Sequence, residues 1–249
     1  MNTSAFRKLV IGTALLSGFS YAEEQAPDHD PSDLTRATTS AYAAMSNNGD
    51  FKVSVSGSFQ VNEKQEAMLT VEGTMDNQGH YSDSRIQYFH VFSVDNNIVP
   101  KVAASIDIID NSAFTTAALG GIANFQTGSD KINLFARAGV LGGEYKSDFT
   151  KVMGESDSVT YGATGDIFLI MKPGKDGTYF MINPEYTYMG GSINTSVLKT
   201  TLLASTPLSQ DKTRWGQIKI ENTYGTSESN HYSLKTDDTV VWALYKAFF

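Results

Sequence analysis

The sequence predicts an all-β protein in which antiparallel strands close into a transmembrane barrel, and three observations support this prediction. Apolar and polar residues alternate with a period of two through most of residues 50–249. The alternating stretches are about 10 to 13 residues long, which exceeds the usual strand of soluble sheets and matches the length that crosses a bilayer at a tilt. Charged residues fall almost entirely on the face opposite the apolar one.

The composition limits the classes of function. The 249 residues include 18% charged and 11% aromatic residues, a balance that argues against a disordered chain. A net charge of -8 disfavours a partner that is bound through its phosphates, so we expect no nucleic-acid partner. The absence of cysteine excludes disulfides, thiolate metal sites and a cysteine nucleophile. We predict no cofactor.

Residues 1–22 have the layout of a cleaved secretory signal peptide. Arg7 and Lys8 precede the apolar run LVIGTALLSGF, and the small-residue site Ser20-Tyr21-Ala22 follows it. The apolar run is too short to cross the hydrocarbon of a bilayer as a helix, so a membrane anchor is the weaker interpretation. We therefore expect an exported protein.

Residues 23–49 read as an acidic linker followed by a short helix. Asp30 has the features of an N-cap and Pro31 those of the first helical position, and the helix would end near Asn47-Asn48-Gly49. Two interpretations of this helix remain open. It is either a frayed tail or an element that plugs or braces the mouth of the barrel formed by residues 50–249.

The number of strands follows from the connections. We count about twelve candidate strands, of which Ser112–Phe125 and Ser227–Lys235 are weak. The longest connection, 142–157, is expected to face the cell exterior, which requires an odd number of strands before it and after it. Removing one weak candidate on each side leaves five and five. We therefore predict about ten strands, with twelve as the alternative.

The charged residues on the polar face predict a network inside the barrel. Basic and acidic members are nearly balanced, which favours ion pairs because isolated charges in a narrow lumen are costly. Such a network is either a structural polar core or the lining of a narrow conductive path. The predicted lumen residues are Lys52, Glu72, Lys101, Asp107, Arg137, Asp166, Glu185, Lys219 and Glu221.

The C-terminal segment TVVWALYKAFF alternates to its last residue. It resembles the last strand of bacterial outer-membrane β-barrel proteins, and the matching residues are Val241, Ala243, Tyr245, Ala247 and Phe249. The stretches NLFARAGVLGGEYK, VTYGATGDIFLIM and YFMINPEYTYMGG also resemble in style the small OmpA-type and OmpX-type barrels. The resemblance implies a monomer in the outer membrane, contact with its lipid and lipopolysaccharide, and recognition of the last strand by the barrel-assembly machinery.

The leading functional prediction is an outer-membrane barrel with a structural or surface role, or a narrow passive channel. A soluble periplasmic β-barrel that binds an apolar ligand is the first alternative, and it requires an apolar interior. An outer-membrane lipid acyltransferase or deacylase with Ser and His at the barrel rim is the second. His80 and His231 lie in predicted connections and His90 lies in an apolar strand, so no catalytic arrangement stands out and we predict no enzyme.

Overall fold

The computed structural model describes residues 30–249, so the predicted signal peptide and residues 23–29 lie outside the described residues. Twelve antiparallel strands close into one barrel. A single short helix, α1 (Ser147–Val152), is found in this part of the chain. The strands are β1 (Ser40–Ser46), β2 (Phe51–Asn62), β3 (Gln65–Met75), β4 (Tyr81–Ser93), β5 (Lys101–Asn111), β6 (Phe114–Phe125), β7 (Ile132–Tyr145), β8 (Val159–Met171), β9 (Tyr179–Gly191), β10 (Asn194–Pro207), β11 (Arg214–Glu228) and β12 (Ser233–Phe248).

The barrel closes because each strand pairs with the next and β12 pairs with β1. In this closing pair, Ser40 lies opposite Phe248 and Ser46 lies opposite Trp242. A closed ladder leaves no sheet edge, so the strands satisfy one another's backbone hydrogen bonds without water.

The main prediction of about ten strands is wrong, and the alternative of twelve is confirmed. The weak candidate Ser112–Phe125 contains a full strand, β6. The other weak candidate, Ser227–Lys235, is the end of β11, a turn and the start of β12. Seven strands precede the connection that contains α1 and five follow it, so the count is odd on both sides, as the parity argument requires.

The predicted helix within residues 23–49 is wrong, because Ser40–Ser46 form β1. The apparent capping residues form turns instead: Asp30 Oδ1 accepts a hydrogen bond from the Ser32 N–H at 2.9 Å. Asp33 Oδ1 accepts one from the Thr35 N–H at 3.0 Å. The alanine-rich segment pairs with β2 on one side and β12 on the other, and these pairings override its modest helix propensity.

The exterior of the barrel is apolar. Val55, Leu119 and Val140 are each at least 60% exposed on outward positions. An apolar exterior of this extent suits lipid and argues against the soluble alternative. Among the described residues no helix is long and apolar enough to cross a membrane. Exposed aromatic side chains cluster near both ends of the strands, as interfacial girdles do: Tyr81, Tyr161, Tyr186, Tyr188 and Tyr224 at one end, and Phe59, Phe180, Tyr245 and Phe249 at the other.

The two openings of the barrel differ in what they carry. Residues 30–39 and Phe249 lie at one opening, where the Phe249 N–H donates to the Thr39 carbonyl at 3.1 Å, and we name it the terminal mouth. The opposite opening carries the 146–158 connection with α1, and we name it the helix mouth. The other connections at the helix mouth are no longer than five residues, and span 47–50, 76–80, 112–113, 192–193 and 229–232.

Candidate functional site in the barrel lumen

Inward-facing charged side chains from nine strands meet in a belt around the lumen, which we name the charge ring. The strand register aligns its members: Glu72 lies opposite Arg85, Asp166 opposite Arg137, and Glu185 opposite both Asp166 and Lys199. The ring contains five basic and five acidic residues, so its formal charge is balanced. Its members are Lys52, Glu72, Arg85, Asp107, Arg137, Asp166, Glu185, Lys199, Lys219 and Glu221.

Two ion pairs occupy the β2–β5 side of the charge ring. Lys52 Nζ lies 3.0 Å from Glu72 Oε1, and both side chains are largely buried. Arg85 binds Asp107 through two donors: its Nε donates to Oδ1 at 2.8 Å, and its Nη2 donates to Oδ2. A forked guanidinium–carboxylate pair is stronger and more directional than a single contact, so it fixes both side chains against the wall.

Arg137 on β7 joins three carboxylates. Its Nε donates to Asp166 Oδ2 at 2.8 Å, and its Nη2 donates to Glu185 Oε2 at 2.6 Å. Its Nη1 lies 3.7 Å from Oδ2 of Asp107 on β5. This contact spans β6, which lies between the two strands and has no charged residue. Arg137 therefore connects the two halves of the charge ring, and its side chain is only 11% exposed.

The ring closes across β11, β12 and β1. Glu221 Oε1 forms ion pairs with two lysines, with Nζ of Lys219 at 3.1 Å and Nζ of Lys199 at 3.4 Å. Trp242 on β12 places its ring 5.2 Å from Lys52 Nζ and 5.6 Å from Lys219 Nζ, within the range of cation–π attraction. The Tyr42 hydroxyl of β1 donates to Glu72. The phenol of Tyr42 and the indole of Trp242 thus continue the ring across β1 and β12, which have no charged side chain at the height of the ring.

The structure brings eight of the nine predicted lumen residues into the charge ring. Lys101 lies elsewhere and pairs with Asp33 at the terminal mouth, with Nζ and Oδ2 3.4 Å apart. Sequence reasoning missed Arg85 and Lys199. Arg85 alternates with Gln87 and Phe89 along β4, so it lies on the same face as they do, and this pattern could have placed it inside. On β10, threonine and leucine occur on both faces, so the pattern does not show which face carries Lys199.

The residues of the predicted assembly signal lie on β12. Val241 and Tyr245 are exposed on the outer wall; β12 pairs with β11 over nearly its whole length and with β1 over residues 242–248. Recognition of these residues by an assembly machinery stays a prediction.

A cavity of about 430 Å³ lies between the charge ring and the helix mouth, and we name it the helix-side chamber. The 146–158 connection folds over it. Tyr145 donates from its hydroxyl to Thr195 Oγ1 at 2.8 Å, and Met153 is fully buried. The Ser229 hydroxyl of the β11–β12 turn donates to the Met153 carbonyl at 2.7 Å. The connection is therefore attached to the opposite rim as well as to its own strands.

A second cavity of about 360 Å³ lies between the charge ring and the terminal mouth, and we name it the terminal-side chamber. Residues 30–39, the terminal segment, cover it. Lys172 Nζ lies 3.5 Å from Asp30 Oδ2, and Lys101 makes the matching contact with Asp33. Leu34 packs against an apolar cluster inside the terminal mouth, whose buried members are Val91, Ala103, Ile122, Phe135, Ile170, Tyr179, Trp215 and Phe248.

The histidines do not form a catalytic arrangement in the described part of the chain. His80 Nδ1 lies 3.4 Å from Asp76 Oδ2 in the β3–β4 turn. The ring of His90 stacks on that of Phe92 with centroids 4.6 Å apart. Within residues 30–249, no histidine ring bonds to a serine hydroxyl, and no group of acidic residues and histidines is arranged to hold a metal ion.

Solved structures share this architecture, although the sequence does not identify a family. No family model matches the chain. No curated protein sequence matches it. A NanC porin structure is similar with a TM-score of 0.60 and 8% identity, covering 85% of this chain and 99% of that one.

Two further structures show the same fold. An outer membrane channel from Pseudomonas putida F1 gives a TM-score of 0.54 at 9% identity, covering 86% of this chain and 96% of that one. A KdgM porin in complex with disordered oligogalacturonate gives 0.50 at 11% identity, covering 85% and 99%. These likenesses support the porin-type barrel fold and give no support to the OmpA-type and OmpX-type subtype.

Proposed function

We propose that this chain is an integral outer-membrane protein that acts as a narrow passive channel. The observation that carries the proposal is the division of the barrel wall: apolar side chains are exposed outside, and two chambers meet inside at the charge ring. A closed ladder with an apolar exterior is stable in lipid, and a polar interior holds water. The porin and channel structures that share the fold add support to this proposal.

The orientation follows from the same proposal. Outer-membrane barrels keep both ends of the strand ladder on the periplasmic side and their longest loops outside. Here β1 begins and β12 ends at the terminal mouth, and the longest connection, 146–158, lies at the helix mouth. We therefore place the terminal mouth in the periplasm and the helix mouth at the cell surface. We propose that the barrel acts as a monomer in contact with outer-membrane lipid and lipopolysaccharide. We also propose that the assembly machinery recognises β12.

The charge ring is the proposed filter. Arg85, Arg137, Glu185 and Lys199 line both chambers, so a solute that passes from one chamber to the other passes these four side chains. Because the ring is balanced in charge and its members are held by ion pairs, size is expected to restrict passage more than charge does. Small solutes are therefore the expected cargo.

Planar-bilayer recording of the purified, refolded chain tests the proposal. Discrete current steps, together with membrane fractionation and heat-modifiable gel mobility, are the expected result. A heat-modifiable membrane protein without any current would contradict the channel and leave the second candidate, a structural or surface protein, which the folded 146–158 connection at the helix mouth favours. Recovery of the protein in the aqueous periplasmic fraction would contradict both.

A further inference from the structure

We infer that the helix-side chamber binds small amphipathic carboxylates, compounds with one carboxylate and an apolar body. The inference rests on the proposed channel function, since it names the class of solute that the channel would select. Three features of the chamber carry it: an apolar wall, a space free of side chains, and cationic groups at its floor.

The apolar wall is unexpected for a barrel of this kind, whose interior is normally polar. Inward-facing Ile109, Phe114, Leu141 and Met189 line the chamber below the helix mouth, together with Phe149 of α1. The ring of Phe149 stacks on that of Tyr145 with centroids 5.3 Å apart, which fixes the aromatic part of the wall. An apolar body that leaves water for this wall gains about 25 cal/mol per Å² of area.

The space for a ligand comes from small inward residues on two adjacent strands. Ala118 and Gly120 on β6, a strand without charged residues, and Gly139 on β7 line the chamber. A Cβ atom at Gly120 would lie 2.6 Å from the Ala138 carbonyl oxygen, so this position requires glycine. A cavity of about 430 Å³ is in the size range of small-molecule sites.

The accessible charge at the chamber floor is positive, although the ring as a whole is balanced. Of the two carboxylates that line the floor, Asp107 is only 9% exposed and is held by Arg85 and Arg137. Lys199 is 41% exposed and Arg85 is 33% exposed. Glu185 is intermediate at 27%, and it is held by Arg137. The groups that a ligand meets first are therefore cationic.

Lys199 is the cation most available to a ligand. It shares the Glu221 carboxylate with Lys219, and its contact of 3.4 Å is the longer of the two. One carboxylate between two ammonium groups leaves a local positive charge on β10 and β11. A ligand carboxylate that binds Lys199 Nζ would supply the missing negative charge, while its apolar body lies against the aromatic wall. A polyhydroxylated anion fits less well, because its hydroxyls would lose hydrogen bonds against that wall.

The test measures binding to the full-length mature chain reconstituted in phospholipid nanodiscs, with empty nanodiscs as the reference. Three probes separate charge from apolar character: 3-phenylpropionate, its uncharged amide, and glucuronate. We expect 3-phenylpropionate to bind at least tenfold more tightly than either of the other two. Lys199→Gln should remove the preference for the acid over the amide, and Lys199→Arg should retain it. Leu141→Asn should weaken the binding of the acid and of the amide by the same factor.

The matched control is Lys64→Gln, which removes the same charge from an exposed turn at the terminal mouth and should leave all affinities unchanged. Equal binding of acid and amide, or glucuronate binding as tight as that of the acid, overturns the inference. If the protein gives current steps but binds the three probes equally, the proposed ligand class is contradicted and the channel function is supported. Tight carboxylate binding to a barrel that never conducts supports the site and contradicts the channel.

Discussion

The two mouths of the barrel are covered by different kinds of interaction. The terminal segment is attached by two Lys–Asp pairs, Lys101–Asp33 and Lys172–Asp30. Hydrogen bonds such as that from Asn133 to the Ser32 carbonyl, and the contact of Leu34 with the apolar cluster, add to these pairs. The 146–158 connection is attached mainly by buried apolar groups: Met153 packs with Tyr145, Met189 and Ile193. The terminal mouth therefore relies more on polar contacts, and the helix mouth relies more on packing.

This difference predicts different mobility. Ion pairs between partly exposed side chains contribute about 0–1 kcal/mol each and weaken as salt rises. Packing of buried side chains contributes more and does not depend on salt in this way. We therefore expect the terminal mouth to open more readily than the helix mouth.

The largest effect is expected from deletion of residues 30–37. These residues cover the terminal-side chamber and precede β1, so the barrel ladder stays complete without them. Single-channel conductance in planar bilayers should rise several-fold while heat-modifiable mobility is retained. An unchanged conductance would show that the terminal segment does not obstruct the path.

At the helix mouth, Met153→Ala should release the 146–158 connection. Removing a fully buried methionine side chain costs about 2–5 kcal/mol, so amides of residues 147–156 should exchange with deuterium at least about 30-fold faster. Val152→Ala is the matched control, because Val152 is exposed in the same helix. Equal exchange in the two variants would contradict the packed attachment of this connection.

A smaller effect is expected when both lysines that contact the terminal segment are removed. Lys101→Ala combined with Lys172→Ala should weaken the closure by about 1 kcal/mol, which gives roughly fivefold more frequent channel opening at 0.1 M KCl. At 1 M KCl the Debye length is only about 3 Å, so the variant and the unaltered chain should open with the same frequency. Lys64→Ala combined with Lys175→Ala removes the same charge from exposed turns at this mouth and should have no effect. A difference that persists at high salt would show that the pairs are not the main attachment.

The smallest effect concerns Asp211 in the β10–β11 turn at the terminal mouth. The Ser209 hydroxyl donates to its carboxylate at 2.5 Å and the Thr213 N–H donates at 3.1 Å, which lowers the pKa of Asp211 to about 2. Because this pKa lies below the value of about 3.9 in the unfolded chain, the turn is stabilised above pH 4. That stabilisation is lost as the pH falls through 2.

Asp211→Ala should therefore lower the denaturation midpoint at pH 7 and have no effect near pH 1.5. Denaturant titrations at the two pH values measure this difference. Asp95→Ala is the comparison, since Asp95 is almost fully exposed in another turn at the same mouth. A loss of equal size at both pH values would contradict the role of the ionised carboxylate.

Much of the fold could be predicted from the sequence, because the strands of an outer-membrane barrel repeat one simple pattern. In β7, for example, Ala138 and Val140 face outward while Arg137 faces the charge ring. The pattern failed for β1, where Ala43 and Ala44 suit a helix equally well. Only the pairing with β12, which lies about 200 residues later in the chain, decides between helix and strand, and local propensity does not contain that information.

The candidate site was predicted less completely. Lys52 and Arg137 stand out because each interrupts an otherwise uncharged face. Lys199 does not, because its strand has polar residues on both faces. The covering of the terminal mouth depends on contacts between residues far apart in the chain, such as the Asn133 side chain donating to the Ser32 carbonyl at 3.1 Å. No local pattern encodes such a contact.

The proposed channel requires that the outward apolar face meets lipid and that the inward face lines a water-filled lumen. Single-cysteine labelling tests it directly, since the chain has no cysteine of its own. Thr164 lines the helix-side chamber, and its neighbour Ala163 is exposed on the outer wall of the same strand. In lipid vesicles, a small charged thiol reagent should modify Thr164→Cys rapidly and leave Ala163→Cys unmodified. Rapid modification at Ala163→Cys with protection at Thr164→Cys would contradict the account.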